Sequence, residues 1–442
     1  MIKIGETTLK IIKDSREEDT LEATMRSGLI EVSSSVPHGK SRGEREAYLI
    51  NPQEALLNFE KIKPIILKQE FESLIDFDNF LLKLDGTDNK KNLGGNLTLT
   101  LSQTFARLAS RIKGLELWQY LREVLLKLSP DLKEKLNKVI PPYFLFNLIN
   151  GGQHAPYGPK IQEYLLVPKI DNPRVSLELA EIFFAGLKEY FLKEYGENKN
   201  LHRFTRQNLV SRSARNKFGD EGGLLIPACA GRPENNYEKP LEIFSQIRKE
   251  LKLEKDIGFS LDAAASTFYD QYTKKYSLVF NQSLSSEELL DIYKKLIQKY
   301  QLISLEDPFE ENDWEAWKML AKNWKFPPAQ AGKIKNCFII GDDLTVTNSQ
   351  LLAKAAEQKA ISGIIIKPTQ IGTITETLKT VALAHQKQIK IIVSHRSAET
   401  LDDFIADLTV ASGAWGLKAG APQPEERMVK YRRVIQIMTH AE

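Results

Sequence analysis

The sequence is poor in cysteine: only Cys229 and Cys337 occur in 442 residues, and neither stands in a CxxC pair. That count leaves no disulfide framework and no thiolate zinc site, so both cysteines read as packing residues. Long apolar runs are missing too. Nothing approaches the roughly twenty residues that cross a bilayer, and Met1-Ile-Lys-Ile-Gly-Glu6 is not a secretory leader, so the expected address is the cytoplasm. Charge of one sign is also absent, with 61 basic residues against 58 acidic ones for a net +3. Such a balance offers no footprint for nucleic acid or an anionic membrane. Lys-rich stretches are interleaved with Glu and Asp, as on solvated helix faces. There is no tandem repeat and no low-complexity tract. What is present is ordinary for a globular chain, 42% hydrophobic and 27% charged residues, at a length that suits two domains.

The two halves of the chain are patterned differently. Thr20–Arg26 and Leu29–Val36 read as strands around a Ser27-Gly28 turn. From Pro52 to about Leu136 apolar residues recur at helical spacing, interrupted by the turn Asp85-Gly-Thr-Asp-Asn89 and the Gly-rich Asn92–Asn96. This predicts a smaller α+β domain over 1–138. After Pro141-Pro142, short apolar runs alternate with amphipathic stretches, which predicts an α/β sheet or barrel over 139–442. One such helix begins with the capping box Ser285-x-x-Glu288 and carries Leu289, Ile292, Leu296 and Tyr300 on one face.

Six apolar runs in the second half end at a charge. Ile257-Gly-Phe-Ser-Leu261 runs into Asp262, Leu302-Ile-Ser-Leu305 into Glu306, and Phe338-Ile-Ile-Gly341 into Asp342. Ile364-Ile-Ile366 runs into Lys367, Ile391-Ile-Val-Ser394 into His395 and Arg396, and Gly416-Leu417 into Lys418. Successive charges are 23 to 44 residues apart, room for one strand–helix crossover each. A single charge at a strand end is an ordinary cap at the solvent boundary. Six in succession, given the cost of burying charge, instead place three carboxylates, two lysines and a His-Arg pair around one opening, the C-terminal face of a parallel barrel.

Asp262, Glu306 and Asp342 offer oxygen ligands, with no Cys or His at the equivalent places. That donor set suits Mg²⁺ or Mn²⁺ rather than zinc. Lys367, on the next strand end beside such a cation, is expected to have its pKa lowered enough to act as a base. Base plus divalent cation is an arrangement for removing a proton next to a carboxylate.

At this point the residues resemble a known family, the enolases. Ser304-Leu-Glu-Asp-Pro-Phe-Glu-Glu-Asn-Asp-Trp-Glu-Ala-Trp317 is similar to their metal-ligand segment, and Gly341-Asp-Asp-Leu-Thr-Val-Thr-Asn348 to the next one. Lys367-Pro-Thr-Gln-Ile-Gly-Thr373 resembles the catalytic-lysine segment. Ser394-His-Arg-Ser-Ala-Glu-Thr400 and Leu417-Lys-Ala-Gly-Ala-Pro422 resemble the substrate-binding ends. Asn150-Gly-Gly-Gln-His154, Ile161-Gln-Glu163, Gly219-Asp-Glu-Gly-Gly223 and the segment Leu84–Asn96 match as well, so the likeness runs from about Asp14 to Ile437.

The resemblance implies a reversible dehydration of 2-phosphoglycerate to phosphoenolpyruvate with two Mg²⁺ ions. Asp262, Glu306 and Asp342 would hold the first ion, and Ser41, on a mobile loop, the second. Lys367 would be the base and Glu221 the acid, supported by Glu163. Lys418 would stabilise the enediolate, Arg396 and Ser397 would grip the phosphate, and His154, Gln162 and His395 would line the pocket. The implied fold is an enolase-type (β/α)8 barrel that opens with an antiparallel hairpin, preceded by the α+β domain. The residues alone suggest an all-parallel barrel, and the two readings part at the Gln162-Glu163 strand. The implied assembly is a homo-oligomer, a dimer or larger.

The match breaks in places. The mobile loop reads Val36-Pro-His-Gly-Lys-Ser-Arg-Gly43, where enolases usually have Val-Pro-Ser-Gly-Ala-Ser-Thr-Gly, so His38, Lys40 and Arg42 add bulk and charge. Thr369 stands where Asn is usual and Ala398 where Gly is. Of the dimer ion pairs, Arg16 and Glu22 remain, but Gln436 takes the place of an arginine. A sugar-acid dehydratase of the wider superfamily is disfavoured by the His395-Arg396-Ser397 phosphate grip, and a non-catalytic binding role by the intact carboxylates and base. His202, His385 and His440 sit on polar stretches and receive no role. Glu163 and Glu221 taken singly read as surface carboxylates, though the glycines flanking Asp220-Glu221 allow close approach of backbone to a ligand.

Overall fold

The computed structural model describes residues 1–37, 39, 45–154, 158–195, 218–226, 236–279, 282–323 and 337–441. The first part runs β1 (Ile2–Lys3), β2 (Glu6–Lys13), β3 (Asp19–Ser27), β4 (Ile30–Ser35), α1 (Pro52–Ile66), β5 (Glu70–Phe71), α2 (Leu74–Asp85), α3 (Gly95–Ile112) and α4 (Leu117–Leu128). The central strand β3 alternates as a half-buried strand must, with Leu21, Ala23 and Met25 inward and Glu22, Thr24 and Arg26 outward. It pairs antiparallel with β2 and, through the expected Ser27-Gly28 turn, with β4. The buried side packs on α3, which is apolar or small almost all round and is buried along nearly its whole length.

The second part runs β6 (Tyr143–Asn150), β7 (Glu163–Pro168), α5 (Pro173–Tyr195), β8 (Leu224–Leu225), α6 (Lys239–Glu250), β9 (Ile257–Asp262), β10 (Tyr269–Asp270), β11 (Lys275–Tyr276) and α7 (Ser286–Tyr300). It continues β12 (Ser304–Glu306), α8 (Trp314–Asn323), β13 (Phe338–Gly341), α9 (Ser349–Glu357), β14 (Gly363–Ile366), α10 (Pro368–Ile371), α11 (Ile374–Gln386), β15 (Lys390–Ser394), α12 (Phe404–Ala411), β16 (Gly416–Lys418) and α13 (Glu425–Ala441). Strands β6, β7, β9, β12, β13, β14, β15 and β16 close into a barrel through the β16–β6 pairing. Strand β7 runs antiparallel to both its neighbours, so the barrel opens with the hairpin that the resemblance implies and is not all-parallel. All six runs that end at a charge are barrel strands.

The barrel floor is apolar. Leu145, Leu165, Val167, Ile303, Ile340, Ile365 and Ile392 pack together inside it, with Tyr143, Phe338 and Trp415 at the edge. Seven such side chains contribute on the order of 10–20 kcal/mol of transfer free energy, enough to tolerate several charges buried at the other end.

Helix α7 has the expected capping box, but its inward stripe is wider than expected. Leu289, Leu296 and Tyr300 are buried together with Leu290, Tyr293 and Ile297, and Ile292 is only half-buried. His385 corrects the sequence reading. Its polar neighbours suggest an exposed stretch, yet the last turn of α11 packs against the end of α12, where His385 Nε2 lies 2.7 Å from the Ser412 carbonyl oxygen. The two halves meet along a polar seam: Thr98 donates to the Gly372 carbonyl at 2.8 Å, Ser102 Oγ accepts the Ile374 N–H at 3.0 Å, and Lys90 pairs with Glu376 at 2.7 Å. Among the described residues no helix is long and apolar enough to cross a membrane.

Candidate active site

The strand ends converge as the charges suggest. Asp262, Glu306 and Lys418 close β9, β12 and β16, while Asp342, Lys367 and His395 directly follow β13, β14 and β15. Because β7 is reversed, its first residue, Glu163, arrives at the same rim, opposite both Asn150 and Asp262 in register. Gln162, Glu163, Glu221, Asp262, Asp342, Lys367, His395, Arg396, Ser397 and Lys418 all line one cavity. A wider groove of about 510 Å³ between α5 and α13 is lined by Arg174, Glu178, Arg432, Gln436 and His440 and brings together no comparable set of buried charges.

Lys418 is the centre of the cluster. Its ammonium lies 2.9 Å from Asp262, 2.9 Å from Glu306 and 2.9 Å from Glu163. Burial works against its charge, but these carboxylates prevail and hold its pKa well above the ordinary lysine range. Lys367 contacts Asp342, whose other oxygen accepts from Gln370 at 2.9 Å. Here the structure differs from the expected lowered lysine: burial favours the neutral amine, but the Asp342 carboxylate overrides it and raises Lys367. Burial likewise opposes charge on Asp342, and Lys367, Lys418 and Gln370 hold it below its usual range.

Two carboxylates passed over by a rule of one charge per strand end belong to the site. Asp307, Asp342 and Asp343 bring carboxylate oxygens within 4.8 Å of one another. Asp307 accepts the backbone N–H groups of Asp342 and Asp343 at 2.9 and 2.8 Å. Burial first, and neighbouring carboxylates second, push Glu306 and Asp307 well up and Asp343 to about 8. Oxygen donors crowded together at this cost are a setting that a hard divalent cation relieves, so the residues present fit such an ion.

Glu221 lies in the turn Gly219–Gly223. The glycines are required there: a Cβ on Gly219 or Gly223 would meet the Asn150 side chain at 2.6 or 2.3 Å, and Gly222 has φ +83°. Glu221 accepts from Asn147 at 2.7 Å and faces His395 Nε2 at 3.7 Å. Burial, then the Glu221 charge, raises Glu163 well above the carboxylate range. Burial keeps the His395 imidazole neutral, its pKa well below the usual value.

Arg396 is buried and reaches Glu46 at 3.0 Å and Thr369 at 3.1 Å, so the unusual Thr369 is a partner of the residue expected to grip phosphate. Gly39 sits directly on that guanidinium, where a Cβ would overlap it. Arg16, expected from the resemblance at a subunit contact, here lies 3.5 Å from both Ser397 and Asp220, and Glu22 pairs with Lys10 at 2.6 Å. Ser41, His38, Lys40 and Arg42 lie outside the described residues, as do Cys229, His202 and the side chain of His154. Cys337 is buried and its thiol is pushed up by burial, in keeping with a packing role.

Comparison with known proteins agrees in order and extent. The family described as "Enolase, N-terminal domain" matches residues 4–121, and "Enolase, C-terminal TIM barrel domain" matches residues 138–441. The chain is 33% identical to the enolase of Methanococcus vannielii over 98% of this chain and 94% of that one. It is 34% identical to the enolase of Metallosphaera sedula over 96% and 94%, and 32% identical to that of Methanocaldococcus jannaschii over 98% and 95%. With both halves matched in order and the barrel rim charged as described, this chain belongs to the enolase family.

Proposed function

We propose that this chain interconverts 2-phosphoglycerate and phosphoenolpyruvate, with Lys367 as the base that takes the C2 proton and Glu221 as the acid that helps the C3 hydroxyl leave. The observation that carries the reading is that one cavity is lined at once by Lys367 and Lys418, by Asp262 and Asp342, by Glu163, Glu221 and His395, and by Arg396 and Ser397. Asp262, Glu306 and Asp342 would hold a first Mg²⁺ and Ser41 would help hold a second. Bound there, Mg²⁺ supplies positive charge against the substrate carboxylate as the enediolate builds.

The protein's own groups do the rest. Lys418, buried among Asp262, Glu306 and Glu163, presents a fixed cation toward the same developing charge. Glu163, whose pKa is raised by burial and by Glu221, lines the same cavity as the acid and supports it there. Arg396 and Ser397 orient the phosphate, and His154, Gln162 and His395 complete the wall. The small domain ends near residue 138, and the barrel with the chemistry occupies 139–442. The address is cytoplasmic and the assembly a homo-oligomer, a dimer or larger. With Gln436 at the arginine position, subunit contacts must rest on other pairs than the family's usual one.

The test is phosphoenolpyruvate formation from 2-phosphoglycerate with added Mg²⁺, beside a Lys367→Ala control. Activity that disappears on chelation and in the control supports the reading. A folded, Mg²⁺-binding protein without activity overturns it.

A further inference from the structure

Arg427 lies on α13 and is wholly buried. Its guanidinium has four hydrogen-bond acceptors. One terminal nitrogen donates to His395 Nδ1 at 2.5 Å and to the Arg396 carbonyl at 2.8 Å. The other donates to the Ser397 carbonyl at 2.7 Å and the Asp220 carbonyl at 2.9 Å. One side chain therefore ties the segment 395–397, at the phosphate end, to the turn that carries Glu221.

The contact with His395 has a chemical consequence. A guanidinium can only donate, so the ring nitrogen it meets must accept. A neutral imidazole has one acceptor and one donor, so with Nδ1 accepting, the proton sits on Nε2. That nitrogen points into the cavity, has no hydrogen-bond partner among the described residues, and faces Glu221 across 3.7 Å. A cation at Nδ1 also opposes a second proton on the ring, in line with the neutral form that burial favours.

We propose that Arg427 is a positioning residue that locks His395 in the Nε2–H tautomer and holds the acid-bearing turn in register with the phosphate-binding segment. His395 then always offers a donor to an oxygen placed between it and Glu221, and never competes as an acceptor for the acid's proton. The role in turnover rests on the function proposed above, whereas the tautomer does not.

The two are separated by reading the ring directly. In substrate-free protein with ¹⁵N-labelled histidine, His395 assigned by His395→Gln, long-range ¹H–¹⁵N correlation is expected to show protonated Nε2 and bare Nδ1 at neutral pH. Protonated Nδ1 in the parent overturns the proposal without any variant. In Arg427→Met, the His395 signals are expected to shift toward mixed tautomers, and kcat to fall roughly 10- to 100-fold, the usual size when a partner orienting a functional imidazole is lost. A folded Arg427→Met with an unchanged tautomer and kcat overturns it as well. The expected tautomer in a protein without lyase activity sinks the functional reading and leaves this one standing.

Discussion

Asp307 accepts the backbone N–H of Asp342 at 2.9 Å, and with its second oxygen that of Asp343 at 2.8 Å. The carboxylate thus sets the turn that presents Asp342 to the cavity, and its own backbone is held in the left-handed region at φ 40° to do so. Replacing it by alanine leaves two buried donors unpaired and is expected to cost about 2–4 kcal/mol in urea denaturation. Asp307→Asn keeps an acceptor and is expected to fold, with Mg²⁺ affinity by calorimetry reduced roughly 10- to 100-fold. Unchanged affinity in Asp307→Asn would show that the turn is set by other contacts.

Lys418 neutralises Asp262, Glu306 and Glu163 at once. Lys418→Ala leaves them buried without a counter-charge, and about 3–5 kcal/mol of stability should be lost in the presence of a chelator. Mg²⁺ is expected to restore much of that loss, because cations at the same carboxylates do part of the lysine's work. Denaturation curves with and without Mg²⁺ check this, and an equal loss in both would mean that the ions sit elsewhere.

His385 gives a pH dependence with a definite sign. Burial lowers its pKa to about 4, against 6.5 for an unperturbed ring. Between these values the unfolded chain binds a proton that the folded chain refuses, so stability rises with pH across this window. The contribution is fully present above pH 6.5 and is lost as pH falls toward 4, about 3 kcal/mol at most. His385→Gln can still donate to the Ser412 carbonyl and should flatten this slope relative to the parent. Parallel slopes for the two proteins would refute it.

The loop with His38, Lys40 and Arg42 is a prediction from sequence. Changing the three to Ser, Ala and Thr removes positive charge from the sequence around Gly39, which itself touches Arg396. The KM for 2-phosphoglycerate is expected to rise a few-fold at low ionic strength and to become less sensitive to salt. Identical kinetics and salt dependence would retire the idea that these residues act on substrate.

The barrel rim was legible because six of the barrel strands are short apolar runs that end at a charge, and burying charge is too costly to recur by chance. The direction of β7 was not. Glu163–Pro168 is buried on both faces, and an apolar strand without alternation reads the same either way. Only the family resemblance supplied the hairpin. Asp307 and Asp343 stand next to charges already counted and add nothing to a pattern of one per strand. Arg427 was hidden among the charges of α13, because sequence periodicity cannot distinguish a solvated arginine from one whose two terminal nitrogens are bonded inside. His385 was misread for a related reason: the polar stretch after it says nothing of the helix end that covers its ring.

The buried helix α3 has a consequence for how this chain can be taken apart. Its Thr98 and Ser102 bond to Gly372 and Ile374, just beyond the α10 turn that follows Lys367. The N-terminal half therefore underwrites the placement of the lysine as well as bordering it. A barrel expressed alone would lose the floor beneath that turn, and a barrel joined to a foreign N-terminal half would inherit one cut to another shape. An exchange of halves between relatives would have to carry the bonds of Thr98 and Ser102 with it.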